Sequence, residues 1–424
     1  MCIAGFVRPL EYSSLPACPR RIGAGLGSPA IRIVLGYETF ASLGGAETYL
    51  LTVGEHLERL GHEVTIHTRQ LGEMTTVARG RGLRVVTSEE ALPADCDGVL
   101  VQDAASAYAL AGRYPGARRV FVAHSAEFGP TLPPQAPGVC SAVVALNDRV
   151  VRQLEALDLQ APVVRLRQPV DMTRFGRLGI KHPEPRRALI MGNYWRGPRL
   201  RMVERSCRER GLMLDHIGLN GRPSTTPERD MANADIVIGY GRCIVEGMAS
   251  GLAVYVYGVV GGDGWVTPDS YPAVEADGFA GRGTPAEIDE AAIARDLAEW
   301  GPEMGERNRD LATRHHDGST HVLDLVKLWR RLDGPPPAPR LPTDEMAGLV
   351  RRHWQAESRA VTLVLESHQM RWRAEVAERE RDELRREIAA LKARPRAPIG
   401  SRVARAFRLG RRARTSSPST SWWR

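Results

Sequence analysis

Arg242 and Glu246 stand four residues apart in GYGRCIVEGMASGLAVYVYG, residues 239–258. An arginine can meet a phosphate with a charge-assisted fork, and a glutamate can accept hydrogen bonds from ribose hydroxyls. The flanking sequence tells how they are held. DIVIGY at 235–240 is an apolar run of strand length rich in β-branched residues, and AVYVYG at 253–258 is a second short strand. Between them residues 242–250 read as a helix, with Gly251 where a helix-ending left-handed residue belongs. In a parallel sheet, such a strand, Gly-rich turn, helix, strand unit puts the turn at the carboxyl edge. There the amides of Gly241 to Cys243 and the helix dipole favour an anion. The segment is either a nucleotide diphosphate site or a plain βαβ unit with a surface Glu and Arg.

At 424 residues the chain has room for two or three domains, and 43% hydrophobic residues suffice for ordinary soluble cores. No stretch of 18 consecutive apolar residues suggests a membrane span, and the N-terminus lacks a charged-then-apolar signal pattern. Six cysteines without paired spacing suit a reduced, cytosolic protein with no zinc site. The net charge is +8, and residues 394–424 carry nine Arg with no Asp or Glu, so the other 393 residues sum to −1. This is a basic arm on a neutral body.

The elements that must position the chemistry alternate along the chain. Residues 1–29 hold Pro, Gly and Ser without a sustained period and read as a disordered leader. Residues 31–36 form a first buried strand. Ala46, Leu50, Val53, Leu57 and Leu60 then keep helical spacing until Gly61. The Gly44-Gly45 pair lies between that strand and helix, the place of a phosphate-approaching loop and equally of a tight turn. Strand-like runs continue at 63–68, 82–87, 97–102, 118–124 and 140–146, with helical patterns between several of them. This alternation predicts a doubly wound, mostly parallel sheet. His124 and Ser125 fall at the carboxyl end of one strand, where ligand-contacting residues collect in open α/β sheets, though a lone histidine also suits a structural role. After KHPEPRR a second unit restarts, with a strand at 188–194, a helix at 199–210 and a strand at 214–219. GGDGWVTPDSY at 261–271 reads as a wall of a sugar pocket or as a surface loop.

Together these stretches resemble the family 4 glycosyltransferases of the GT-B fold. GGAETYLLTVGEHLERLGHEVTIHTR is similar to that family's opening helix. VFVAHSAEF, VVALNDRVVRQL and RQPVDMTRF are similar to its later N-domain blocks, and ADIVIGYGRCIVEGMASGLAVYVYG to its donor signature. The likeness runs in order over about residues 31–330. It implies an α/β protein of two Rossmann-like domains facing a cleft. It also implies a nucleotide-diphosphate sugar as donor, hexosyltransferase-like transfer with retention, and neither bound metal nor other cofactor. Carried over residue by residue, it gives Glu246 the ribose and gives Arg242, with the amides near Gly241 and Cys243, the diphosphate. Gly44 and Gly45 then admit the N-domain, and His124 lies beside the transferred sugar. Arg196 and Arg199, in MGNYWRGPRLR, stand near where the family's diphosphate-holding Arg and Lys fall. The family commonly has two glutamates separated by seven residues in the donor signature. Glu246 matches the second, while Ile238 holds the place of the first. Only about 45 residues separate the restart strand from the donor signature, which points to a reduced second sheet.

GPPPAPRLP, 334–342, reads as a Pro-rich linker. A heptad counted from Met346 has Leu349, Ala356, Leu363, Met370, Ala377, Leu384 and Leu391 at its d positions, which suits a coiled coil over 343–393 or a charged helix folded back on the body. In 394–424, Arg interleaved with Val403, Phe407, Trp422 and Trp423 suits an anionic bilayer surface, or a solvated tail. No base-reading motif points to nucleic acid.

The sequence reading is therefore a leader at 1–29, an acceptor-side domain at 30–175, a nucleotide-sugar domain at 176–333, the linker, the coiled coil and the tail. Its expected function is transfer of a sugar to a glycan or lipid-linked acceptor of the cell envelope. The expected protein is a homo-oligomer in the cytoplasm, peripheral on the inner face of the membrane. A non-catalytic assembly protein on the same fold and a nucleotide-sugar epimerase are the alternatives. Glu246, as a cleft residue, is expected to be removable without loss of the fold.

Overall fold

The computed structural model describes residues 29–393 except 126, 177–181, 259, 285–287, 333 and 335. The leader up to residue 28 and the basic tail lie outside the described residues.

The first half runs β1 (Arg32–Gly36), β2 (Thr39–Phe40), α1 (Gly45–Arg59), β3 (Glu63–His67), β4 (Gln70–Leu71), α2 (Glu73–Gly80), β5 (Arg84–Val86), β6 (Gly98–Val101), α3 (Ala104–Arg113), β7 (Arg118–Ala123), β8 (Ala142–Ala145), α4 (Asp148–Glu155) and β9 (Val163–Arg165). The second half continues β10 (Arg187–Met191), α5 (Gly197–Glu209), β11 (Met213–Ile217), α6 (Pro227–Met231), β12 (Ile236–Gly239), α7 (Arg242–Ala249), β13 (Ala253–Tyr257), β14 (Gly262–Trp265), α8 (Tyr271–Ala276), α9 (Glu290–Ala298) and α10 (Glu303–His315). α11 (Gly318–Arg331) and α12 (Thr343–Ala393) follow.

Seven parallel strands form the first sheet in the order β5-β3-β1-β6-β7-β8-β9. Its strands β6 (GVLV) and β8 (AVVA) are uniformly apolar because helices cover both faces. α1 and α2 pack one face through Leu50, Leu57 and Met74. α3 and α4 pack the other through Leu110 and Leu154. The second sheet has five strands, β11-β10-β12-β13-β14, of which β14 is antiparallel to β13. It is two strands narrower than the first, in line with the short 192–234 stretch. Of the GGDGWVTPDSY segment, Gly262–Trp265 forms this edge strand and 266–270 is a loop leading into α8. Gly247 lets α7 lie close on this sheet, since a Cβ there would meet Val254 at 2.8 Å.

The two halves exchange segments. Val170 and Phe175 join the core of the second sheet, whereas Val322, Leu325, Val326 and Trp329 of α11 join the core of the first. A division at 175 and 333 is therefore corrected: α11 returns to the first half, where its apolar stripe covers α1. The outgoing and returning strands run side by side. The Val170 amide donates to the His316 carbonyl (2.8 Å), and the Gly318 amide to that of Val170 (2.9 Å).

α12 also departs from expectation at its start. Leu341 of the Pro-rich stretch, then Met346, Ala347 and Val350, pack on the α3/α4 side of the first sheet, and Arg351 bonds both Glu38 oxygens (3.1 and 3.0 Å). The first turns of the proposed coiled coil thus belong to a core. From Gln355 the helix is a separate unit, continuous to Ala393. Among the described residues no helix is long and apolar enough to cross a membrane.

Candidate functional site

The carboxyl ends of the parallel strands converge on a cavity of about 320 Å³, within the range of small-molecule sites. The first half contributes Gly45, His124, Asn147, Arg149 and Gln168. The second contributes Tyr240, Gly241, Arg242, Glu275, Phe279 and Arg282. The lining carries three arginines, Arg149, Arg242 and Arg282, and two glutamates, Glu127 and Glu275.

Gly241 turns the chain from β12 into α7 at φ +68°, a left-handed conformation that glycine adopts without strain. Its N–H does not face an anion, because it donates to the Phe279 carbonyl (2.7 Å). Phe279 itself holds φ +56°, the single non-glycine residue with positive φ among the described residues. At the first turn of α7 the Arg242 and Cys243 amides have no acceptor one turn back within the helix.

The Arg242 side chain is 9% exposed and that of Glu246 is 1%. The Arg242 Nε donates to Glu246 Oε1 (2.8 Å) and Nη2 to Thr52 Oγ1 on α1 (2.9 Å), so one guanidinium ties the two halves. Burial holds the Arg242 pKa below its ordinary value, opposed by Glu246. The Nη1 of Arg242 and the Oε2 of Glu246 are both buried without a hydrogen-bond partner. Glu246 lies beneath Arg242 and does not line the cavity. The expectation that it sits outside the core is corrected.

His124 ends β7 and faces the cavity. Its Nε2 is hydrogen-bonded to the Gln102 side chain at the end of β6, and its ring meets Tyr49 edge-on at 5.0 Å. Burial, with help from Arg242, pushes its pKa down to about 3, so it is neutral at physiological pH. Gly45 reaches the cavity, whereas Gly44 caps α1 and packs against the Glu47 carboxylate. Burial raises the Glu47 pKa.

Three expected residues lie elsewhere. Arg196 is exposed at the start of α5. Arg199 donates to the Gly258 carbonyl (2.7 Å) and covers the Tyr257 ring, because the carbonyl past β13 needs a donor. Cys243 turns its Sγ to the carbonyls of Met191 and Tyr240, burial pushes its thiol up to about 12, and the residue does not line the cavity. Sequence reasoning missed Arg149 and Glu275. Arg149 pairs with Asp277 (3.2 Å) and Glu127 (3.2 Å), and Glu275 with Arg165 (2.6 Å). A signal for Arg149 was present in Asn147-Asp148-Arg149, which follows a strand end and caps α4 through Asn147.

No family model and no curated protein matches the chain. Solved structures do. A glycosyltransferase from Rickettsia africae ESF-5 superposes with a TM-score of 0.52 at 13% identity, covering 72% of this chain and 99% of its own. HepE from Anabaena, solved with UDP and glucose, superposes at 0.51 and 12% identity, covering 71% of this chain and all of its own. The HepE structure with UDP-glucose gives 0.51 at 13%. The fold is GT-B. Within that GT-B frame, the cavity is bordered by both sheets at their carboxyl edges, and Arg242, Arg149 and Glu275 each pair across the two halves.

Proposed function

We propose that this GT-B chain is a glycosyltransferase that moves a sugar from a nucleotide-diphosphate donor to a cell-envelope or polysaccharide acceptor, with retention and with no cofactor besides the donor. The observation that carries the reading is the buried Arg242–Glu246 pair at the cavity, with one guanidinium nitrogen and one carboxylate oxygen left unpartnered. A guanidinium nitrogen without a partner is costly to bury unless a ligand completes it. On this reading Glu246, beneath Arg242, does not meet the ribose directly and instead holds the guanidinium in place through Oε1. Arg242, with the amides of the first α7 turn, offsets charge on the diphosphate as it leaves. Ile238 lies fully buried in β12, so no second acid assists Glu246 from that position. His124, neutral and held by Gln102, serves as a hydrogen-bond partner for the transferred sugar. Residues 394–424 would keep the enzyme at the cytoplasmic membrane surface.

Thermal shift with a panel of nucleoside diphosphates tests the donor site. UDP and UDP-glucose are the first probes, since HepE was solved with them. A ligand at a hundredfold its Kd stabilises by about 2.7 kcal/mol, and failure of every nucleoside diphosphate to stabilise the protein would refute the reading. Product analysis then separates transfer from epimerisation.

His124→Ala should lower kcat roughly tenfold, the value of one neutral hydrogen bond, with donor affinity nearly unchanged. Because His124 titrates near 3, this contribution should be flat between about pH 5 and 8. A fully active variant would return His124 to a structural role.

A further inference from the structure

We propose that α12 beyond the first half is the seam of a parallel homodimer of this chain. The helix divides its apolar residues between two faces. Met346, Ala347 and Val350 are used by the core of the first half. Leu349, on another face, is 50% exposed, and Leu363, Met370 and Leu384 are 65%, 65% and 58% exposed. These positions differ by 14, 7 and 14, so all four occupy one heptad position, with Ile388 at the next core position and also half exposed. The stripe runs about 58 Å along the helix at about 1.5 Å per residue. A second copy covers it in register, because the same repeat lies on both chains.

The flanking charges identify the occupant. By sequence position, Glu366 and Arg371, Arg373 and Glu378, and Glu380 and Arg385 are successive g and e positions of this heptad. In a parallel, in-register dimer each g residue meets the e residue of the following heptad on the other chain, so every one of these pairs joins opposite charges, twice per dimer. No such g–e pairing between 352 and 392 joins like charges. This self-complementarity selects a second copy of the chain and the parallel arrangement. The seam starts at Leu349 and not at Met346, because the heptad's first core residue is used by the body.

Sedimentation of the full chain is expected to give a dimer. Leu363→Glu combined with Leu384→Glu should raise its dissociation constant about a hundredfold or more, while the thermal transition of the first half stays in place. Ala356→Cys and Leu384→Cys, each in the full chain and oxidised mildly beside wild type, should each give a disulfide-linked dimer. Both positions lie against their own copies only in the parallel arrangement. A monomer at all concentrations, a larger oligomer, a dimer unaffected by the glutamate variants, or a dimeric Ala356→Cys chain that does not cross-link would overturn the proposal.

Discussion

Replacing Arg242 by alanine should lower the stability of the body by about 3–5 kcal/mol, the cost of leaving one partner of a buried ion pair uncompensated. On a solvated helix face, the same i, i+4 spacing would contribute only about 0.3–0.5 kcal/mol. Burial decides between the two magnitudes: the Glu246 side chain is 1% exposed and its Oε1 loses the hydrogen bond from Arg242. The variant also breaks the bond to Thr52, which joins α7 to α1. Glu246→Ala should be costly for the same reason, now leaving the guanidinium buried. Arg242→Met combined with Glu246→Leu should recover most of the loss, since apolar replacements of a buried pair are often neutral or stabilising. It should still fail to bind a nucleoside diphosphate. Urea unfolding and calorimetry with UDP read the two effects separately. A cost below about 1 kcal/mol for Arg242→Ala would mean that water reaches the pair and would refute the burial argument. If the variant weakens UDP and uridine equally, Arg242 does not meet phosphate.

The second large effect is a loss of stability in acid. His316 and His321 are buried, and burial pushes both pKa values down to about 3. His316 Nδ1 donates to the Gln168 carbonyl (2.7 Å), so its Nε2 accepts from the Tyr271 hydroxyl (2.9 Å), and the neutral tautomer is fixed. His321 Nε2 is hydrogen-bonded to the Tyr49 hydroxyl (2.8 Å). The sign follows from proton counting. Between about pH 6.5 and 3 the unfolded chain binds protons at both sites and the folded chain does not, so stability rises with pH in that window and falls as acid is added. From pH 6 to 4 each histidine should cost about 2.5 kcal/mol. His316→Gln and His321→Gln should each flatten the pH dependence of the unfolding free energy by one proton. An unchanged slope in the double variant would show that the two rings already carry their protons in the folded state.

The strands could be read from the sequence because their signal is local. IVIG, AVVA and AVYVY are continuous apolar runs, and only a strand covered on both faces can bury every residue of such a run. The Gly241 turn could be read too, as could the spacing that lets Arg242 reach Glu246, since both follow from residue type and helical period. The heptad of α12 likewise stands in the sequence as a period.

What periodicity does not carry is the identity of the neighbour. α11 has an ordinary amphipathic stripe, and nothing in its residues says that the covering surface is α1 and not the sheet just completed. Met346 fits the heptad core as well as it fits the α3/α4 side of the first sheet, and it packs there with Ala347, Val350 and Leu341. Arg199 and Arg149 are equally good phosphate ligands on paper. The tertiary structure assigns Arg199 to an orphan carbonyl after β13 and brings Arg149 to the cavity, because a buried carbonyl must find a donor and the nearest side chain supplies it. The sequence by itself determined the strands, the turn and the reach of Arg242 to Glu246. Only the tertiary structure decided that this pair is buried, tied to Thr52 and left with two unpartnered atoms, because desolvation depends on what the rest of the chain places over a residue.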